Sequence, residues 1–232
     1  MGICVNLYCS SPPAPSKKGV AQRHYQAIIR TENPMNPDLE KRIRTVYPTG
    51  LLDKPDRRRL RRTTFETAIR GTVQEIAAAT STVCDEFPFW WEISRILQFD
   101  FTLPGPSHED WECRDEAQRI AWLRDHQGVY AILTLQVSKV YPAYFFYFNT
   151  CRLAGPKEID HDTYDGLADP SWAPFFQVLL RRFKQFGLIQ LKEDKRAEKV
   201  PFIRTEGCGD GSNEEKPILV PATVHQCLFA EI

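Results

Sequence analysis

Hydrophobic and polar positions alternate most clearly between Gly128 and Arg152, in GVYAILTLQVSKVYPAYFFYFNTCR. Val129, Ala131, Leu133, Leu135 and Val137 fall on one side of an extended chain, with Tyr130, Ile132, Thr134 and Gln136 on the other. Both sides begin apolar, which predicts a central strand. Ser138 and Lys139 make a short turn, and Tyr141 to Asn149 forms the next strand, aromatic on both faces. Pro142 stands near its start, where no ladder donor is needed. The block predicts a hairpin with one face on helices.

Helical periods flank it. Leu60, Phe65, Ile69, Val73 and Ile76 recur at spacings of three to five and predict one amphipathic helix from Asp56 to about Ala79, weakened slightly by Gly71. Before it, prolines at 34, 37, 48 and 55 allow only short turns such as Asp38 to Thr45. Ser107, with Asp110 three residues on, caps a helix whose buried stripe is Trp111, Ala117, Ile120 and Leu123, ending at Gly128. Pro174 to Phe186 is the clearest helix, with proline in its first turn and Gly187 as its stop. Strands at Leu188–Leu191 and Lys199–Arg204 follow, joined by the charged KEDKRAE. Glu206 to Lys216 predicts a surface loop, and Ile218–Val220 with Thr223–Phe229 a closing strand or short helix. The fold class expected is α+β, with a mixed or antiparallel sheet built on a central hairpin and helices packed on one face.

Composition narrows the picture. A chain of 232 residues, 42% hydrophobic and 26% charged, has enough apolar surface for a sizeable core. Residues 1–22, rich in Pro and Ser, predict a flexible tail, and 23–232 a single domain opening on a basic flank at about 23–62. Formal net charge is zero, which removes a global pull toward nucleic acid. Its distribution is uneven: 14 basic and 6 acidic residues in 1–70 against 16 and 24 in 71–232. Seven cysteines without a CxxC pair argue against a disulfide framework and a structural zinc site, and make a reducing cytoplasm the simplest compartment. The longest apolar run, Val140–Phe148, is too short to span a bilayer. Gly2, with Cys4 and Cys9 nearby, opens N-terminal acylation as an alternative, although Asn6 stands where the myristoylation pattern needs Ser or Thr.

Charge and aromatic clusters mark the candidate surfaces. Arg57, Arg58, Arg59, Arg61 and Arg62 form the densest charge cluster. In the first turns of a helix they would oppose its dipole, which points to an anionic partner or to pairing with the acidic stretch Asp85–Asp125. That stretch contains the adjacent Trp90 and Trp91, of which a strand can bury only one, and then Trp111. These three tryptophans are candidate partner-binding residues. Asp160, His161, Asp162, Asp165 and Asp169 gather in an expected loop that could bind a divalent metal or orient a histidine base, and Cys151 with His161 is a formal thiol–imidazole pair. No GxSxG, Walker A, GxGxxG, HExxH or kinase pattern is present, so no catalytic, cofactor or metal residue is assigned.

The run VSKVYPAYFFYFN, the helix PFFQVLLRRFKQFGLIQL, the segment KVPFI and the closing CLFAEI resemble, over residues 128–230, the layout of small bacterial cytosolic immunity proteins that neutralise secreted toxins. The resemblance implies a non-enzymatic binding protein that occludes a partner toxin with an aromatic and charged face. Two alternatives stay open. One is an enzyme or N-acylated effector using the Asp160–Asp169 loop. The other is a winged-helix nucleic-acid binder whose wing would be the charged hairpin after Gly187.

Overall fold

The computed structural model describes residues 35–60, 63–87, 95–103, 105–126, 128–164, 170–206 and 219–229. The chain divides into two compact units, Met1–Pro34 and Met35–Ile232, and every described residue belongs to the second. The expected tail at 1–22 therefore lies outside the described residues.

Helix α1 (Pro37–Val46) begins where Asn36 accepts hydrogen bonds from the Asp38 and Leu39 amides, with Pro37 in its first turn. A 3-10 turn (Arg57–Arg59) precedes helix α2 (Thr64–Thr80). Strands β1 (Val83–Glu86) and β2 (Ile96–Thr102) come next, then helices α3 (His108–Glu112) and α4 (Glu116–Asp125). The expected hairpin is β3 (Val129–Ser138) and β4 (Ala143–Gly155), extended by β5 (Glu158–Tyr164). Helix α5 (Ala173–Gln185) has proline in its first turn and is followed by Gly187 at φ 74°. After it come β6 (Ile189–Gln190), α6 (Glu193–Arg196), β7 (Lys199–Glu206), β8 (Leu219–Thr223) and α7 (Val224–Leu228). The protein is α+β.

The main sheet runs β1-β2-β3-β4-β5, antiparallel throughout, with β6 added in parallel beside the start of β4. β3 is central, as the alternation predicts. Leu133, Leu135 and Val137 of β3 join Leu97, Phe99, Phe101, Tyr144 and Phe148 on the face that packs against Ile69, Val73 and Ile76 of α2 and Phe175, Leu179 and Phe183 of α5. The opposite face is covered as well, which extends the one-face expectation. At one end α3 and α4 bring Trp111 and Leu123 onto Tyr130, Ile132 and Cys151. At the other end α1, α7 and the separate β7–β8 pair enclose Ile96, Ala143 and Phe145.

Four expectations require correction. The helix from Asp56 to Ala79 is broken: Asp56 caps the 3-10 turn, Leu60 is extended at φ −67° and ψ 145°, and Thr63 sits at φ 43°. The reason is that its apolar residues serve two cores, since Leu60 buries with α1 and α7 while Ile69, Val73 and Ile76 bury against the sheet. The helix from Ser107 is likewise two helices, because Asp115 forms a capping box with Gln118 and starts α4 afresh, leaving Ala117 exposed. Residues 160–164 of the expected Asp160–Asp169 loop lie in strand β5. The expected strands at 188–191 and 199–204 do not pair with each other: β6 joins β4, β7 joins β8, and α6 occupies the charged connection. The wing on which a winged-helix reading depends is not formed.

Candidate functional site

The arginine cluster is divided by what the structure describes. Arg57, Arg58 and Arg59 occupy the 3-10 turn with their side chains exposed, whereas Arg61 and Arg62 lie outside the described residues. Because the turn precedes α2 rather than forming its first turn, Arg57, Arg58 and Arg59 do not stand in the first turn of that helix, where the conflict with its dipole is expected. The turn is pinned from behind. The Asp56 amide donates to the Val46 carbonyl at 2.6 Å, Arg42 donates through Nη2 to the Arg59 carbonyl and through Nε to the Val140 carbonyl, and Leu60 is buried. Arg59 Nε lies 3.6 Å from Asp56 Oδ2. Within the acidic stretch after it, Glu86 pairs with Arg70 at 2.8 Å, Asp85 and Asp100 bond to His108, and Glu112 lies 3.3 Å from Arg119.

Trp90 and Trp91 lie outside the described residues. Trp111, expected at a binding surface, is a core residue with 1% exposure. Its ring stacks on Tyr130 at 4.0 Å and meets Trp122 edge-on at 5.5 Å. The indole N–H finds no acceptor at hydrogen-bond geometry among the described residues and lies against the Cys151 thiol. Three aromatic rings in contact exclude water from this end of the sheet, and that burial outweighs any benefit of displaying the tryptophan.

Between the two apolar ends of this face runs a band of polar pairs joined across strands. Gln136 Nε2 donates to Gln98 Oε1 and Thr134 Oγ1 to Asp100 Oδ1, both at 2.8 Å. Asp100 faces Asp85 directly across the β1–β2 ladder and Thr134 across β2–β3. Over Asp100 sits His108, the first residue of α3. Its Nδ1 is 2.9 Å from Asp100 Oδ2, its backbone N–H donates to Asp85 Oδ2 at 3.1 Å, and its Nε2 is 3.9 Å from Glu112 Oε1. The hydrogen bond to Asp100 raises the imidazole pKa above its usual 6.5. Partial burial works against that rise, and the charges of Asp100, Glu112 and Asp85 add to it.

The isolated histidine and the aspartate were not recognisable as a pair from spacing, since they come from different elements. The signal that bears on them is local: Asp100 interrupts the apolar ILQFDFT strand, and the Ser107 cap defines where α3 starts and so where His108 stands.

His161 and Cys151 are brought together on β5 and β4, with Sγ 3.3 Å from Nδ1. Burial raises the Cys151 pKa, the reverse of what activates a thiol, and burial with the charge of Asp85 pushes Cys84 up to about 12. Asp160 and Asp162 lie on β5, exposed, with Asp160 Oδ1 accepting from the His161 amide at 3.0 Å; Asp165 and Asp169 lie outside the described residues. Among the described residues no group of three His, Cys, Asp or Glu side chains is placed to hold a metal ion. No helix among them is long and apolar enough to cross a membrane.

No family model, curated protein or solved structure matches the chain.

Proposed function

We propose that this protein acts by binding another protein, with the turn Arg57–Arg59 as part of the contact surface. One observation carries the reading: three successive exposed arginine side chains stand on a backbone fixed by Arg42, Leu60 and the Asp56 amide. A fixed turn loses little freedom on association, and arginine is enriched among residues that dominate binding energy. Its planar donors suit carboxylates, so the partner presents an acidic patch. The resemblance to immunity proteins supplies the finer form of the reading, a bacterial cytoplasmic protein that occludes a secreted toxin.

Affinity capture with the wild-type chain and with the triple variant Arg57→Glu, Arg58→Glu, Arg59→Glu, followed by mass spectrometry, tests it. A partner retained by the wild type and lost from the variant is expected. A partner held equally by both, or none held by the wild type, overturns it. Co-expression of the captured protein addresses the finer form: growth arrest relieved by the wild type and not by the variant is the signature of neutralisation. A gel shift with a salt series separates this from phosphate binding to nucleic acid, which would weaken steeply as salt rises.

A further inference from the structure

We propose that His108 is a proton-operated clamp: as an imidazolium bonded to Asp100 and facing the charges of Asp85 and Glu112, it fastens the short helix α3 and the edge strand β1 onto β2, and loss of its proton loosens that corner of the fold. The inference is independent of the binding reading above, because it concerns the α3 end of the sheet and not the end that α1 covers.

Like charges directly opposite one another on paired strands destabilise a sheet, and Asp85 stands directly opposite Asp100. Asp100 is only 2% exposed, and a carboxylate removed from water needs partners. Thr134 supplies one hydrogen bond to it and His108 the other. His108 alone also reaches Asp85, through its backbone amide, so a single residue joins β1, β2 and α3.

Among the described residues, the charged and titratable groups facing the ring are Asp100 on β2, Asp85 on β1 and Glu112 on α3. Arg119 of α4 pairs with Glu112 at 3.3 Å, and Cys84 of β1 remains a neutral thiol. The Tyr130 phenol of β3, pushed up above all by burial, also stays neutral. A neutral imidazole can still donate through Nδ1 to Asp100, yet it leaves the two opposed carboxylates without a compensating positive charge among the described residues, while Glu112 keeps Arg119.

Linkage sets the direction. The folded-state pKa lies above the 6.5 of an ordinary histidine, so the stabilisation is complete below 6.5 and disappears as pH rises through the folded value. The corner that loosens is small: α3 has five residues and β1 four.

Amide hydrogen exchange of the full chain from about pH 6 to about pH 9 tests the clamp, with His108→Gln matched at each pH so that the intrinsic exchange rate cancels. At the acid end β1 and α3 of the wild type should exchange more slowly than in the variant. That advantage should shrink by up to about tenfold per pH unit between the two pKa values, while α2 and α5 exchange alike in both. An NMR titration of the His108 ring in the wild type provides a readout that does not require the variant to fold. A pKa above 6.5, lowered by Glu112→Gln at an exposed site, is expected. A ring pKa at or below 6.5, or a wild-type to variant ratio constant across the range, overturns the proposal.

Discussion

Trp111 illustrates how one residue's environment decides its role. By composition it belongs with Trp90 and Trp91 in an acidic aromatic stretch suited to an interface. In the fold it is 1% exposed and stacked on Tyr130. Replacing it by alanine removes a large ring from a packed cluster and is expected to destabilise by about 3–5 kcal/mol. Urea denaturation measures this; an effect within about 0.5 kcal/mol would mean that Trp111 is a surface residue after all. His108 makes the complementary point. In the chain it is an isolated histidine, and its character comes from Asp100, eight residues earlier, and Asp85, twenty-three earlier.

At the scale of elements, periodicity read along one helix does not reveal whether its apolar residues face one core or two. Leu60 and Ile69 fit a single stripe, yet they are buried in different clusters, and the backbone opens between them at Leu60 and Thr63. Elements whose ends carry strong local signals are more legible: α5, with proline in its first turn and Gly187 beyond its end, lies within a residue of its expected bounds. Gly71, the weak position foreseen in α2, has open space where a Cβ would be added and is exposed. Gly71→Ala is therefore expected to stabilise by about 0.5–1 kcal/mol, since alanine restricts the unfolded chain without a clash in the helix. A thermal melt that shows no rise would imply that α2 is strained there by something other than backbone entropy.

Across the whole molecule, the segments most distant in sequence are held together by buried polar groups as well as apolar contact. The Tyr47 hydroxyl, after α1, donates to the Cys227 carbonyl of α7 at 2.6 Å. It also accepts from Nη1 of Arg95, a guanidinium only 1% exposed, which donates in turn to the Gln226 carbonyl at 3.0 Å. Ser138, at the hairpin turn, donates to the Leu228 carbonyl at 3.0 Å. Carbonyls at the end of a helix have no partner within it, and these three side chains satisfy them. Tyr47→Phe keeps the ring but leaves the Cys227 carbonyl and an Arg95 N–H unpaired away from water. A loss of about 1–3 kcal/mol is expected by chemical denaturation. A neutral outcome would show that these groups find other partners.

The sequence by itself determined the features that depend on neighbours in the chain: the β3–β4 hairpin from its two-residue alternation, α5 from its proline and glycine punctuation, the start of α3 from Ser107, and the α+β class that follows. Only the tertiary structure decided which strand pairs with β6 and which with β7, that residues 158–164 of an Asp-rich segment extend the sheet, that Trp111 is core, and that Asp85, Asp100 and His108 meet. The physical reason is the range of the forces involved. Caps, turns and side-chain alternation act over a few residues, so a short window contains their cause. Burial and charge pairing depend on which elements come into contact, and in this fold those partners are supplied from distant parts of the chain.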